Sequence, residues 1–469
     1  METNSSNFSF HRVLLFPFMS KGHTIPILPL ARLLLRRGFA VTVFTTPGNR
    51  HFIAKSLADT SASIIDIPYP ENIPEIPVGV ESTDALPSMS LYVPFCRATK
   101  LMQPEFERKL QSLLPVSFMV SDGFLWWTLE SATKFGFPRL VFYGMNQYAM
   151  SVLKAVAADR LLFGAESDDE LITVTQLPWI KVSRKDFDPK FLKPDPNSPS
   201  LELIMDQVIS TTKSYGYIVN SFYELEKFFF DRWNSEERLK VWCVGPLCLA
   251  EPRKVEHEPQ KKPSWIKWLD QKLDQGCSVL YVAFGTQSEI SSEQLKQIAI
   301  GLEESKANFL WVVRKKESEV MDEGFEERVK ERGIVVREWV DQREILMHQS
   351  VQGFLTHCGW NSVLESICAG VPILAWPITA DQPLNAKMVV EELKAGLRVD
   401  TCNGTARSDF VHWKGFMNMV RELMEGEMGQ EVRKKVKELS ELAKMAMEEN
   451  SGSSWRTLDL LINELCNKK

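Results

Sequence analysis

The sequence predicts an α/β protein of two parallel-sheet domains joined by a linker. Three observations carry that prediction. Short apolar runs of strand length alternate with helical patterns in both halves of the chain, the mark of βαβ units. Runs such as RVLLF (12–16) and SVLYVAF (278–284) are apolar almost throughout, as in strands covered on both faces. Between the halves, VGPLCLAEPRKVEHEPQKKPS (244–264) is rich in proline and charge and has no apolar period, so it reads as a linker. A chain of 469 residues has room for two full cores.

In the N-terminal half, the strand 12–16 leads into a loop, Pro17 to His23. A helix then spans about 27–37, closed by Gly38, and a second strand spans 40–45. A third strand is expected at 63–67, and 68–87 reads as a proline- and glycine-rich surface loop. The strand 118–120 precedes Ser121-Asp122-Gly123 and an apolar helix, FLWW, at 124–127. Further strands fall at 139–142 and 217–219. The stretch 162–199 is irregular, broken by Asp-Pro and Lys-Pro, and reads as a long functional or mobile loop.

The C-terminal half opens with a helix at 264–269 and the strand 278–284. The loop Gly285-Thr286-Gln287-Ser288 and a helix at 293–305 follow. Strands at 309–313 and 334–337 lead to Trp339. From 409 onward the pattern is helical. The strongly charged 431–449 reads as a solvated face, and SGSSWRTL (451–458) opens a last helix with a serine cap.

Bulk properties exclude several classes. The formal net charge is −6 with no long basic run, which argues against nucleic acid as partner. No apolar stretch is long enough for a transmembrane helix, and the N-terminus lacks a secretory pattern, so no membrane insertion is expected. The 8 cysteines show no metal-like spacing, as in a reduced cytoplasmic chain. No cofactor is expected.

Two places carry chemistry. In GFLTHCGWNSVLESICAGVPILAW a strand ends at Thr356, the chain breaks at Cys358-Gly359, and a helix runs over 361–369. His357, Asn361 and Ser362 thus lie beside a helix N-terminus, where backbone N–H groups and the helix dipole favour phosphate. Glu365, one turn later, is placed as the carboxylates that hold a ribose are. An ordinary βα turn accounts for HCGWNS alone equally well. The other place pairs His23 with Asp122, each at the carboxyl end of a strand. An imidazole oriented by a carboxylate is a general base, although a loop histidine is more often structural and Asp122 is also a good helix cap.

The stretch 339–382, WVDQREILMHQSVQGFLTHCGWNSVLESICAGVPILAWPITADQ, resembles the signature box of the plant family 1 UDP-glycosyltransferases, which act on small molecules. GHTIP (22–26) and SDGF (121–124) are similar to the places where that family carries its catalytic His and the Asp that orients it. The resemblance implies a GT-B type fold, two Rossmann-like domains facing across a cleft. It divides the chain into an acceptor-binding domain (1–245), a linker (246–264), a UDP-sugar-binding domain (265–450) and a helix (451–469) crossing back to the first domain. It implies that Trp339 stacks on uracil, with the Val340 main chain and Gln342 beside the base. His357, Asn361 and Ser362, with Gly359 in the turn, then hold the diphosphate against the loop of Gly285, Thr286 and Ser288. Glu365 holds the ribose, and Trp360, Asp381 and Gln382 meet the sugar. The family has Ala-Pro where this chain has Val340-Asp341.

The implied activity is inverting glucosyl transfer from UDP-glucose as co-substrate, with His23 and Asp122 catalytic. A glutamine at the closing position, Gln382, goes with glucose. No Asp-x-Asp cluster is placed for a metal, so metal-independent activity is expected. The acceptor is expected to be a flavonoid or other apolar aromatic molecule, lined by Phe18, Leu91, Phe124, Trp127, Phe142 and Trp179. O-linkage is favoured and C-linkage stays open, and a monomer is expected. Two other classes remain: a nucleotide-sugar epimerase of the same fold, and a UDP-sugar or small-molecule binder without catalysis.

Overall fold

A computed structural model of the chain describes residues 11–187, 198–250, 262–314, 324–399 and 410–466. It separates into two compact units. The first takes Met1–Gln147, Pro194–Glu251 and Ala446–Lys469, and the second takes Tyr148–Lys193 and Pro252–Met445. The units are therefore not two consecutive blocks of sequence. The segment Tyr148–Lys193, expected in the N-terminal domain, groups with the second unit. The C-terminal segment groups with the first.

The first unit is built on a seven-stranded sheet in the order β3-β2-β1-β4-β5-β8-β9. Its strands are β1 (Arg12–Phe16), β2 (Ala40–Thr45), β3 (Ser63–Asp66), β4 (Phe118–Asp122), β5 (Arg139–Tyr143), β8 (Gly216–Val219) and β9 (Lys240–Cys243), all parallel. Alternate residues of β1 serve opposite cores. Val13 and Leu15 pack with the helix Lys21–Arg36, whereas Leu14 and Phe16 pack with Phe95, Phe106 and Trp127. A strand buried on both faces needs apolar residues toward both, which is why Val13-Leu14-Leu15-Phe16 is a continuous apolar run after the half-buried Arg12.

The last helix, Ser453–Cys466, belongs to this unit. Trp455 lies under the Arg37 guanidinium, 3.8 Å from its ring centre, and Arg37 Nε donates to Asp459 at 2.7 Å. Ser454 donates to the Gly245 carbonyl, and Ser453 Oγ to Glu224.

The second unit holds a six-stranded parallel sheet in the order β12-β11-β10-β13-β14-β15. These strands are β10 (Val279–Ala283), β11 (Asn308–Val312), β12 (Gly333–Val336), β13 (Val351–Thr356), β14 (Ile373–Ala375) and β15 (Gly396–Arg398). A two-stranded antiparallel hairpin, β6 (Ile172–Val174) with β7 (Leu177–Val182), also lies here.

Three local expectations are corrected. The helix expected from 27 begins at Lys21, because burial of Ile27, Leu30, Ala31 and Leu34 carries it through Pro26 and Pro29. No helix forms at 124–127. That stretch is a turn, and the helix starts at Thr128 once Leu125 and Trp127 have entered the core. The hairpin falls inside the region read as irregular, since β6 has only three residues and β7, paired to it through a register shift, buries Leu177, Ile180 and Val182 without strict alternation. Residues 251–261 of the expected linker and 188–197 of the expected long loop lie outside the described residues. Among the described residues, no helix is long and apolar enough to cross a membrane.

Candidate active site

In the first sheet the strand order reverses direction between β1 and β4, and open α/β sheets bind ligands outside the carboxyl ends of strands at such a point. His23 stands in the first turn of the helix after β1, and Asp122 is the last residue of β4. Their side chains meet, His23 Nδ1 to Asp122 Oδ2, at 2.8 Å. The carboxylate is fully buried and the imidazole side chain is 20% exposed, so the pair is open to solvent only through the histidine. Asp122 Oδ1 accepts from Phe124 N–H at 2.9 Å, which replaces the expected helix cap with a tight turn. Both carboxylate oxygens are thereby used, as a buried charge requires.

Aromatic rings surround the imidazole. Phe18 and Phe124 meet it edge-on with centroids at 5.5 and 5.4 Å and stack on each other at 5.2 Å. Tyr92 packs against both. Of the residues expected to line an acceptor, Phe18, Trp127 and Phe142 are all wholly buried, Phe18 with its ring against His23 and Trp127 and Phe142 in the two cores of the sheet. Trp179 is 50% exposed on β7, in the second unit. Leu91 is half-buried beside Tyr92.

The second sheet repeats the topology, with its reversal between β10 and β13. The loop after β10 carries Gly285, Thr286 and Ser288, and the turn after β13 carries His357 to Gly359. They meet at the His357 ring. A Cβ on Gly285 would lie 2.8 Å from ring atoms Cε1 and Nε2, and one on Gly359 would lie 2.6 Å from Nε2. Only glycine at both positions lets the imidazole sit between the loops, and Gly285 also has a φ of +74°. Cys358 takes φ +63° at the turn, held by Asn385 Nδ2 donating to its carbonyl at 2.9 Å. Burial pushes the His357 pKa down from 6.5 to about 4, so the imidazole is neutral at physiological pH although part of its edge stays accessible.

The helix Trp360–Ala369 follows, with Gly359 at its N-cap and no side-chain cap. One turn in, Gln342 Nε2 donates to Glu365 Oε2 at 2.8 Å and to Ser362 Oγ at 3.0 Å. Trp339 is 56% exposed, an unusual position for an indole. The departure at Val340-Asp341 has a local account: Val340 is core, and Asp341 caps the helix Gln342–Leu346 by accepting from Glu344 N–H. Gln382 Oε1 accepts from Ile378 and Thr379 N–H, both at 2.9 Å, which orients its amide. Asp381 accepts from Asn385 at 2.9 Å. Trp360 is almost fully buried.

The family described as "UDP-glucoronosyl and UDP-glucosyl transferase" matches residues 265–446. UDP-glycosyltransferase 90A1 of Arabidopsis thaliana is 56% identical over 468 residues, spanning 98% of this chain and 97% of the relative. This chain belongs to the plant family 1 UDP-glycosyltransferases. Solved structures similar to this glycosyltransferase include Glycyrrhiza uralensis UGT73P12 complexed with glycyrrhetinic acid 3-O-monoglucuronide, with a TM-score of 0.85 and 31% identity. That match covers 98% of this chain and 96% of that one. Phytolacca americana UGT2 complexed with UDP-2fluoro-glucose and pterostilbene gives a TM-score of 0.80 at 29% identity, covering 97% and 99%. The two parallel-sheet domains are those of a GT-B fold, and the enzyme transfers a glycosyl group to small molecules.

Beside the two strand reversals stand residues that the sequence by itself did not single out. Arg139, buried in β5, donates to Ser121 Oγ at 2.7 Å, Thr128 Oγ1 at 2.8 Å, Ser214 Oγ at 2.8 Å and the Asp122 carbonyl at 3.3 Å. Burial lowers its pKa to about 10, which leaves it protonated at neutral pH behind Asp122. Arg314 donates to the carbonyls of Thr286 and Ser288 and so braces the loop after β10. A charged residue inside or directly after an apolar strand was the available signal for both.

Proposed function

We propose that this glycosyltransferase is an inverting enzyme that moves glucose from UDP-glucose to a hydroxyl of a flat aromatic acceptor of the flavonoid or other phenolic class. The observation that carries the reading is the 2.8 Å contact of His23 Nδ1 with Asp122 beside the rings of Phe18, Phe124 and Tyr92. Asp122 holds the Nδ1–H tautomer, so the Nε2 lone pair is the base. It takes the acceptor's hydroxyl proton as the oxygen attacks the anomeric carbon from the face opposite UDP. The bond from that carbon to the diphosphate oxygen breaks, and the electron pair leaves with UDP.

The donor falls to the second crevice. Trp339 supplies a stacking face for uracil beside the Val340 main chain, and Glu365, held by Gln342, accepts from ribose hydroxyls. Neutral His357 donates to the diphosphate together with Asn361, Ser362 and the loop of Gly285, Thr286 and Ser288, donors aimed at the charge that develops on the leaving group. Asp381 and Gln382 meet the sugar. With its oxygen occupied, Gln382 meets the sugar as a donor through its amide NH2. Trp360, being buried, contributes its main chain. With these donors the transfer is expected to persist in EDTA.

The test is mass spectrometry of a mixed phenolic panel incubated with UDP-glucose or UDP-galactose. A hexosylated product that needs an acceptor, prefers UDP-glucose and fragments by losing the whole sugar supports the reading. Interconversion of UDP-sugars without acceptor, or binding without product, overturns it, and preference for UDP-galactose overturns the donor.

A further inference from the structure

The helix that carries His23 has no cap of its own. Ser20 occupies its N-cap position in an extended conformation but makes no capping hydrogen bond. The acceptor comes from a distant part of the chain, with Lys21 N–H donating to Asp84 Oδ2 at 2.9 Å. Asp84 is itself fixed. Ser82 Oγ donates to the same oxygen at 3.1 Å, and Asp84 N–H donates back to Ser82 Oγ at 3.3 Å. Thr83 N–H donates to the Met19 carbonyl at 2.9 Å, so the turn Thr83–Ala85 is pinned to the stretch that joins β1 to the helix. His23 lies two residues past Lys21, with its N–H on the Ser20 carbonyl.

We propose that Asp84 is a positioning residue for the general base: it caps the His23 helix and offsets the positive end of that helix's dipole, so the imidazole keeps the basicity that Asp122 confers. This rests on the reading of His23 as the base. A helix N-terminus carries about half a positive charge and opposes protonation of an imidazole in its first turn, and a carboxylate at that end reverses the effect. Among the described residues, the titratable and charged groups about His23 include Asp122 on β4, Tyr92 and Cys96 on the helix Tyr92–Ala98, Lys21 on its own helix, and Asp84, with Arg139 and Tyr143 behind Asp122. Burial raises the pKa of Tyr92 and Cys96, which keeps both neutral. Asp122 and Asp84 are the two anions in this set.

Asp84→Asn keeps an acceptor oxygen and removes the charge, and Asp84→Ala removes both. For Asp84→Asn the acidic limb of the kcat/KM profile is expected to move to lower pH by about 0.2–0.7 unit, with KM for UDP-glucose unchanged. Asp84→Ala is expected to show the same shift and a further loss of kcat. The pH dependence of His23 carbethoxylation by diethyl pyrocarbonate, read by peptide mass spectrometry, should move equally and requires no turnover. An Asp84→Asn protein that overlies the wild type in both measurements overturns the proposal. Turnover that survives His23→Ala overturns the catalytic reading instead, and the carbethoxylation shift still decides whether Asp84 sets the basicity of His23.

Discussion

His23 and His357 both stand at the strand reversal of a parallel sheet, but on opposite sides of it, since β1 in the first sheet corresponds to β10 in the second and β4 to β13. His23 follows β1 and is met by a residue ending β4, while His357 follows β13 and is met by the loop after β10. Their surroundings differ in one respect that matters. His23 faces a buried carboxylate at 2.8 Å. Among the described residues His357 has no carboxylate partner: it is wedged between two glycines, and burial alone pushes its pKa down to about 4. An anion beside a ring favours taking up a proton, and an apolar wedge disfavours it. The strand reversal thus carries, in one sheet, a group suited to accept a proton from a substrate and, in the other, a neutral donor suited to an anion. Topology chooses the place, and the neighbours choose the chemistry.

The largest effects are expected from removing each histidine in turn. His23→Ala is expected to lower kcat by about 10²–10⁴-fold, the range for removing a general base, with UDP-glucose affinity by calorimetry unchanged. His357→Gln is expected to weaken that affinity by about 10- to 100-fold, the worth of a hydrogen bond to a charged group. Equal losses of affinity in both variants would falsify the division of labour.

Next in size is the glycine wedge. Gly359→Ala places a Cβ 2.6 Å from His357 Nε2, so the ring must move. Overpacking of this kind costs about 1–3 kcal/mol, expected here as UDP-glucose affinity about 5- to 150-fold weaker. Gly276→Ala is the control: its φ is also positive, at +67°, but nothing lies within 4 Å of the added Cβ, so thermal stability should fall while affinity holds. Affinity unchanged in Gly359→Ala would mean that the wedge does not position the ring.

The smallest effect concerns pH. The neutral ring donates to the diphosphate near neutral pH, but the bound anion also raises the His357 pKa above about 4, so UDP-glucose affinity should tighten as pH falls below neutrality and the ring takes up a proton. His357→Gln should flatten this dependence. In the unliganded protein the folded pKa, about 4, lies below the unfolded 6.5. The stabilisation from keeping this ring neutral is therefore complete above 6.5 and is lost as pH falls through 4. Thermal melts across that window should be less acid-sensitive in His357→Gln than in the wild type.

The amino-acid sequence alone determined the two-domain α/β class and the family, because buried parallel strands leave continuous apolar runs and the stretch from Trp339 to Gln382 fixes residue types at many positions. It also carried the histidine and the glycine of the turn after β13, whose spacing is local. Tertiary structure decided the rest. It joined His23 to Asp122 across the sheet, turned Trp127 and Phe142 inward where Phe18, Phe124 and Tyr92 line the imidazole, and began the first helix at Lys21 under a cap from Asp84. It also assigned Tyr148–Lys193 to the second unit. The reason is physical: spacing along the chain encodes which residues share a strand or a helix face. Which side of a sheet a ring enters, and which distant carboxylate meets it, is set only when those faces pack.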